Sequence, residues 1–214
     1  MERYSLPEDI RGEWIWSRQG RGRLESYVFF RKEFTLAETP AAAELWITAR
    51  TFCHLYINGR HLTFGPPPAP TRDSHVQYFD VAFCLETGTN AIAVLAHNTQ
   101  VTRTSARRQP SGFWCQLNID GKPTAWTDKS WLMSDGACYA ANRPRRSQAS
   151  GFTEKVLLRD YPIGWQEKEY NAIRWRHVNW HVPLGEDHGR LSVLEVPELV
   201  SETHPFEKLA RRGV

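Results

Sequence analysis

The feature that most limits the fold of this chain is the period of its apolar residues. The apolar spacing of three and four residues that marks an amphipathic helix is almost absent. Short runs of alternating or uniformly apolar side chains recur instead, with turn residues between them. The runs lie at 27–36, 44–57, 60–64, 75–85, 90–98, 112–119, 124–134, 151–165 and 170–183. This pattern predicts an all-β sandwich, with the near-continuous apolar run 90–98 as a central strand buried on both faces.

One hairpin is marked clearly by its turn. Asn58-Gly59 stands between two apolar runs, and both residue types tolerate the positive φ angles of a type I′ turn. The returning strand then reaches Gly65 and the prolines 66–68, which cannot donate to a sheet. A rigid loop therefore follows a well-formed hairpin, and it could line a binding site, brace a neighbouring domain or simply turn the chain.

Composition is that of a globular chain of 214 residues, with 41% hydrophobic and 24% charged residues. Nine tryptophans are a high count. An indole suits both a sandwich core and a sugar-binding or partner-binding surface, and for any one of them we expect the core more often.

The charge pattern does not favour nucleic acid. Net charge is +3, and arginines are dense in two places, at 103–108 and 143–146. Both clusters stand among Ser, Pro and Gln without interleaved aromatics, so we interpret them as solvated loops and expect no nucleic-acid partner.

The four cysteines form no CxxC pair, and we expect Cys53, Cys84 and Cys115 to be buried free thiols. The N-terminus lacks the apolar run of a signal peptide, and no window approaches the length of a membrane span. Together these features lead us to expect a cytoplasmic protein with no membrane partner.

Signatures of catalysis and of metal binding are missing from the sequence. It contains no GxSxG, HExxH, P-loop or dinucleotide-binding glycine pattern. His177 and His181 would lie about 13 Å apart on a strand at about 3.3 Å per residue, too far for one metal ion. We therefore expect no metal site and name no catalytic residue.

Two segments have the composition of a sugar-binding loop, which stacks an aromatic ring on a sugar face and pairs the hydroxyls with polar groups. They are 64–73 and 159–165, and each combines a rigid backbone, an aromatic residue and an adjacent Arg-Asp pair. The alternative for each is a tertiary corner with an internal salt bridge. The candidate carbohydrate contacts are Arg72, Asp73, Arg159, Asp160, Tyr161 and Trp165.

An ordered series of segments covers nearly the whole chain. It consists of EWIWS (13–17), YVFFRKEFTL (27–36), LYINGRHLTFGP (55–66), YFDVAFCLETGTNAIAVLAHN (78–98), Asp-Gly (120–121), TDKSW (127–131), GFTEKVLLRDYPIGW (151–165), YNAIRW (170–175) and LEVPELVSE (194–202). This series resembles the N-terminal region of bacterial α-L-rhamnosidases, and its order and spacing are more specific than any single motif.

The resemblance implies a jelly-roll β-sandwich of galactose-binding-like type. It also implies that catalysis belongs to an (α/α)₆ barrel further along the polypeptide, so it supplies no catalytic residue here. The pattern of runs divides the chain into a lead-in at 1–26, the sandwich at 27–183 and a linker-like tail at 184–214. Pro205 and Gly213 suit the two ends of a short helix, which we expect at 205–212.

Some modules of this family carry Gly-Glu-x-x-Asp-Ala-Arg, a pattern associated with calcium-dependent rhamnose binding. Glu154 and Arg159 match it, whereas Leu157 and Leu158 stand at the Asp and Ala positions. Leucine has no oxygen to offer a hard cation, so we expect no cofactor, with calcium as the alternative.

We therefore interpret the chain as a non-catalytic, carbohydrate-associated domain of an α-L-rhamnosidase-like hydrolase. Its partners would be rhamnosylated glycans, a downstream catalytic domain, or both. The alternatives are a purely structural or interaction domain without glycan affinity, and a small independent glycosidase with two carboxylates in one cleft.

Overall fold

The computed structural model describes residues 4–69, 72–102, 107–141, 143–185 and 188–194. In these ranges the chain forms strands and two short 3-10 turns, at Ala82–Cys84 and Leu158–Asp160. None of their helices is long and apolar enough to cross a membrane. The strands are β1 (Trp14–Trp16), β2 (Ser26–Leu36), β3 (Ala43–Ala49), β4 (Phe52–Ile57), β5 (Arg60–Gly65), β6 (Asp73–Asp80), β7 (Gly88–Asn98), β8 (Phe113–Ile119), β9 (Lys122–Trp126), β10 (Leu132–Asp135), β11 (Arg176–His177), β12 (Trp180–Val182) and β13 (Arg190–Val193).

The strands form two sheets that pack face to face. Sheet A has the order β12-β1-β8-β3-β6-β13, with β9 paired to β8. Sheet B has the order β11-β10-β2-β7-β4-β5. The β6–β13 pair is parallel, whereas neighbours such as β2–β7 and β3–β8 are antiparallel. The all-β sandwich predicted from the sequence is confirmed.

The main core lies between the sheets and is built from alternate residues of each strand. Phe30 of β2 stacks on Phe113 of β8 with ring centroids 5.2 Å apart, and Trp131 meets the same ring edge-on at 5.5 Å. All three rings are buried. Strand period therefore places the large apolar residues of both sheets on one shared interior.

Strand β7 is the predicted central strand, and it lies between β2 and β4 with residues 90–96 buried. Both of its faces are apolar because the outer face of sheet B is also covered. A second cluster there joins Phe29, Ala93 and Leu95 to Cys138 and Trp165. We call the residues that supply this cover, 138–141 and 143–175, the covering segment.

The structure refines several predicted runs. The run 44–57 bends between Ala49 and Phe52 into β3 and β4, and the run 124–134 divides into β9 and β10. The run 151–165 is no strand: it has isolated bridges at Phe152 and Val156 and one of the 3-10 turns. The segment packs its apolar side chains on sheet B, although its backbone joins neither sheet. These packed side chains have the spacing of a strand, which explains the wrong prediction.

The sandwich also extends beyond the predicted range 27–183. Strand β1 pairs with β8 and β12, and β13 pairs with β6. All three residues of β1 are buried, so this short strand lacks the alternation that would have marked it. The helix predicted at 205–212 lies outside the described residues.

The predicted burial of the thiols holds for two of the three named cysteines. Cys53 and Cys115 face the interior and are fully buried. Cys84 is half-buried, because it ends a 3-10 turn at the surface and is not part of β6.

Candidate functional site

The hairpin of β4 and β5 has the turn that its sequence predicts. Asn58 and Gly59 have φ angles of 49° and 83°. The Asn58 side chain donates to the Cys84 carbonyl at 2.9 Å and to Asn90 Oδ1 at 2.8 Å, and it accepts from the Ala91 amide at 2.8 Å. The turn is therefore fixed both by its backbone and by its contacts with neighbouring segments.

The outward face of this hairpin is aromatic. Strand period places Phe52 and His54 of β4 on the same face as Phe64 of β5. The Phe64 ring stacks on Phe52 at 5.2 Å and lies 4.6 Å from His54. Phe64 remains 51% exposed, so much of its ring is open to solvent.

These rings form one wall of a concave surface that we call the aromatic groove. The groove lies on the outer face of sheet B, between the β4–β5 hairpin and the covering segment, and it holds about 470 Å³. The outward-facing side chains that line it are Tyr27, Phe52, His54, Phe64, Leu95, His97, Tyr139, Phe152 and Glu154.

The opposite wall of the groove is a stack of three rings. Tyr27 lies between His97 and Tyr139, with centroid distances of 3.9 and 3.8 Å and nearly parallel planes. Its hydroxyl donates to Glu154 Oε2 at 3.2 Å. Burial, together with the charges of Glu25 and Glu154, raises the pKa of Tyr27. Tyr27 therefore stays protonated and holds the Glu154 carboxylate beside the groove.

Two imidazoles add polar atoms to the hairpin side. His54 Nδ1 lies 3.3 Å from His61 Nε2. Burial, with smaller contributions from His61 and His97, lowers the pKa of His54 to about 4. At neutral pH His54 is therefore uncharged and offers one ring N–H donor and one ring acceptor.

The proline-rich loop lines a second concavity, which we call the proline cleft. Pro66, Pro67, Pro68 and Ala69 form one side, facing residues from the end of β3, the starts of β4 and β6, and the segment between β7 and β8. The cleft is narrow and encloses about 40 Å³. The Phe52 ring lines the cleft as well as the aromatic groove, so the two concavities meet at this residue.

A buried arginine supports the floor of the proline cleft. Arg50 donates to the Asp73 carbonyl at 3.0 Å, to the Ser74 hydroxyl and to Gln109 Oε1. Burial lowers its pKa to about 10, although the nearby Asp73 opposes this shift. Even so, the Arg50 guanidinium is cationic at neutral pH.

Neither concavity contains a catalytic acid pair among the described residues. Glu154 is the carboxylate that lines the aromatic groove, and Asp73 is the one that lines the proline cleft. A glycosidase site needs two carboxylates facing one bond. The described residues also contain no group of three or more His, Cys, Asp or Glu arranged to hold a metal ion.

Comparison with known protein families identifies the chain. A family model described as the α-L-rhamnosidase N-terminal domain matches residues 38–198, about three quarters of the sequence. This chain belongs to the α-L-rhamnosidase N-terminal domain family. The resemblance seen in the sequence is thereby confirmed. Comparison with curated protein sequences found no match.

Solved structures agree with the family. The GH78 family rhamnosidase of Bacillus sp. GL1 has a TM-score of 0.82 and 24% identity over 89% of this chain, but over only 20% of its own. The α-L-rhamnosidase from Dictyoglumus thermophilum has a TM-score of 0.69 and 19% identity, and the match covers 87% of this chain and 22% of the rhamnosidase. The rhamnosidase N-terminal domain described here therefore spans about one fifth of the rhamnosidase chains that it matches.

A lectin has the same fold at lower similarity. The lectin from Pleurotus ostreatus, solved in complex with GalNAc, has a TM-score of 0.53 and 18% identity over 83% of this chain and 45% of its own. At such identities these matches show a common fold.

The structure separates the two predicted sugar-binding segments. Arg72 and Asp73 lie at the start of β6 in sheet A, and Asp73 Oδ1 is 3.5 Å from Arg190 Nη2. Arg159, Asp160 and Tyr161 belong to the covering segment on sheet B. Of the six predicted contacts, Asp73 lines the proline cleft, and none lines the aromatic groove.

One predicted sugar contact needs a correction. Trp165 is only 1% exposed, since it packs edge-on against Phe29 at 4.9 Å and donates to the Tyr161 hydroxyl at 3.1 Å. An indole in this position cannot offer its face to a sugar. In the same segment Arg159 and Asp160 form an exposed ion pair at 3.4 Å, as the alternative of an internal salt bridge predicts.

Apart from Glu154, which matches the family pattern, sequence reasoning missed the residues that line the aromatic groove. The signal was present in part, because Phe52 and His54 alternate along one strand and Phe64 follows the Asn-Gly turn at a spacing that sets it opposite His54. Tyr139, Phe152 and Glu154 come from the covering segment, whose path over sheet B has no local sequence signal.

Proposed function

We propose that this rhamnosidase N-terminal domain is a non-catalytic carbohydrate-binding domain, and that the aromatic groove is its sugar contact. The observation that carries the proposal is the exposed ring of Phe64 beside neutral His54 and across from the Glu154 carboxylate. Sugar recognition uses this combination, because a ring takes the apolar sugar face while polar groups take the hydroxyls.

The relatives support the same class of function. The family is named for α-L-rhamnosidases, and a lectin solved with GalNAc shares the fold. We expect rhamnose-containing glycans to be the ligands, with catalysis supplied elsewhere in a longer polypeptide. Glu154 provides an acceptor and neutral His54 a donor without a metal ion, so we propose that binding needs no calcium.

The test is calorimetric titration of the purified chain with L-rhamnose and rhamnosylated oligosaccharides, with and without EDTA. Phe64→Ala should weaken binding about tenfold, since it removes a stacking ring. Phe83→Ala is the matched control, because Phe83 is 61% exposed and lies beside Arg60 at the turn end of the same hairpin. It should leave binding unchanged.

Two results would contradict this assignment. If no glycan produces heat with a folded sample, the groove is not a sugar site. Equal losses in Phe64→Ala and Phe83→Ala would place the ligand elsewhere. Loss of binding in EDTA would overturn the proposal of metal-free recognition and restore calcium as the alternative.

A second candidate function is contact with a catalytic domain, and exposed apolar side chains favour it. Leu158, Ile163 and Ile173 of the covering segment are 73%, 80% and 84% exposed. Where exposed aliphatic side chains form one contiguous patch, they mark an interaction surface. Replacing all three with Ser should improve the solubility of the isolated domain and weaken its association with a rhamnosidase catalytic domain, without changing glycan titrations.

A further inference from the structure

Two arginine-rich segments that are distant in sequence meet at one end of the sandwich. Arg145 Nη2 donates to the carbonyls of Thr102, at 3.0 Å, and Gln148, and Arg145 Nε donates to the Ser150 carbonyl at 3.0 Å. Arg108 Nε donates to Gln100 Oε1 at 2.9 Å in the segment that precedes Thr102. The two loops thus form one basic surface.

Carboxylates do not neutralise this surface among the described residues. The ion pairs formed within those ranges include none of Arg107, Arg108 or Arg145. Asp73 is a carboxylate that lines the proline cleft, and it stands there against Arg50, Arg107 and Arg190. The end of the sandwich therefore carries an excess of positive charge, and Arg107 is exposed there on the wall of the proline cleft.

The basic surface is continuous with the aromatic groove. Phe152, which lines the groove, forms an isolated β-bridge with Arg145. Phe52 lines both the groove and the proline cleft, and the cleft includes Arg50 and Arg107. A chain molecule that lies in the groove can therefore extend past Phe52 toward two guanidinium groups.

We propose that the proline cleft takes the carboxylate of an acidic sugar unit, so that the domain recognises an acidic glycan. This proposal rests on the proposed sugar-binding role of the groove. Arg107 would contact the carboxylate directly, because a guanidinium fits a carboxylate with two parallel hydrogen bonds. Buried Arg50 would add positive charge from the floor of the cleft.

An acidic sugar fits this geometry better than nucleic acid does. The arginines lie at one end of the molecule, and the narrow cleft would admit a carboxylate group while the sugar ring stays at its mouth. Binding of nucleic acid needs an extended row of cations along a phosphate backbone. The net charge of +3 is also small for a protein that binds polyanions through charge alone.

The experiment compares two probes that differ only in charge. Trigalacturonate and its fully methyl-esterified form have the same sugar rings, but the ester lacks the carboxylates. The wild-type chain should bind the acid about tenfold more tightly than the ester, and added salt should reduce this difference. Arg107→Gln should weaken binding of the acid about tenfold and leave binding of the ester unchanged.

The control is Arg174→Gln, which makes the same charge change at an exposed arginine of the covering segment near β11, at the opposite edge of sheet B from β5.

Equal affinities for acid and ester would overturn the acidic subsite. So would equal losses in Arg107→Gln and Arg174→Gln, or displacement of the acid by duplex DNA at matched charge concentration. If rhamnosylated oligosaccharides bind while neither uronate probe does, the subsite is wrong and the proposed function stands. If no glycan binds at all, both fail.

Discussion

Arg31 donates a hydrogen bond from Nη1 to the backbone carbonyl of Trp165, at 3.0 Å and fully buried. Its Nη2 donates to the Lys168 carbonyl at 2.9 Å, and Glu33 accepts from the same guanidinium. One side chain of β2 therefore holds two backbone positions of the covering segment. The irregular cover of sheet B is attached by charge-assisted hydrogen bonds as well as by apolar packing.

Arg31→Ala should lower the free energy of unfolding by about 3 kcal/mol, since it leaves buried carbonyls without donors. Urea denaturation measures this change. Arg18→Ala, at an exposed arginine, is the control and should change stability by less than about 0.5 kcal/mol. A loss at Arg31 no larger than the loss at Arg18 would show that packing alone attaches the cover.

The sequence predicts the sheets far better than it predicts this attachment. Alternating side chains predict β2 and an apolar run predicts β7. Both patterns lie within a single strand, so they can be recognised from the local sequence alone. Arg31 occupies a position in β2 that looks solvent-facing from its neighbours Lys32 and Glu33. Its burial depends on residues 165–168, more than 130 positions away. The spacing of residues within β2 gives no indication of that contact.

The turn of the β4–β5 hairpin depends on Asn58 in two separable ways. Asn58→Gly should remove its side-chain hydrogen bonds while keeping a residue that accepts positive φ, and should destabilise the domain by about 2 kcal/mol. Asn58→Ala should cost about 1 kcal/mol more, because alanine must adopt a φ near 49°. Thermal unfolding of both variants measures the difference. Equal stability of the two would show that the φ angle makes no separate contribution.

Acid should destabilise the domain partly through His54. The pKa of this imidazole is about 4 in the folded chain, below its ordinary value near 6.5, because it is buried next to His61 and near His97. Between these two pH values the unfolded chain binds the proton more readily, so stability falls as pH falls from 6.5 toward 4.

His54→Gln should therefore reduce the decrease in melting temperature between pH 7 and pH 5. His177→Gln, at an exposed histidine of β11, serves as the control and should show the wild-type decrease. If His54→Gln keeps the full pH dependence, other groups cause the acid sensitivity.

Thiol reactivity should follow burial. Desolvation raises the pKa of Cys53 to about 12 and also raises that of Cys115, and both side chains are fully buried. In the native domain a thiol reagent at pH 8 should modify half-buried Cys84 first, and Cys84→Ser should remove that first phase. All four thiols should react in denaturant. Rapid native modification of Cys53 would contradict this packing.

The candidate site was predictable only where one segment supplies it. Asn58-Gly59 fixes the register that sets Phe64 opposite His54, and the prolines mark the loop that lines the cleft. From the sequence, Trp165 and Tyr161 both look like surface aromatics of a loop. Tertiary packing buries Trp165. The meeting of Arg145 with Thr102 arises from two loops whose separate compositions suggest only solvation.

The stack of Tyr27 between His97 and Tyr139 has a consequence for the order of assembly. Its three rings come from positions spread over more than 110 residues, so this wall of the groove forms only after β2, β7 and the covering segment have come together. Closing such distant contacts is slow compared with forming a hairpin. A ligand of the groove therefore recognises only chains that have completed folding, and its binding should raise their melting temperature by mass action.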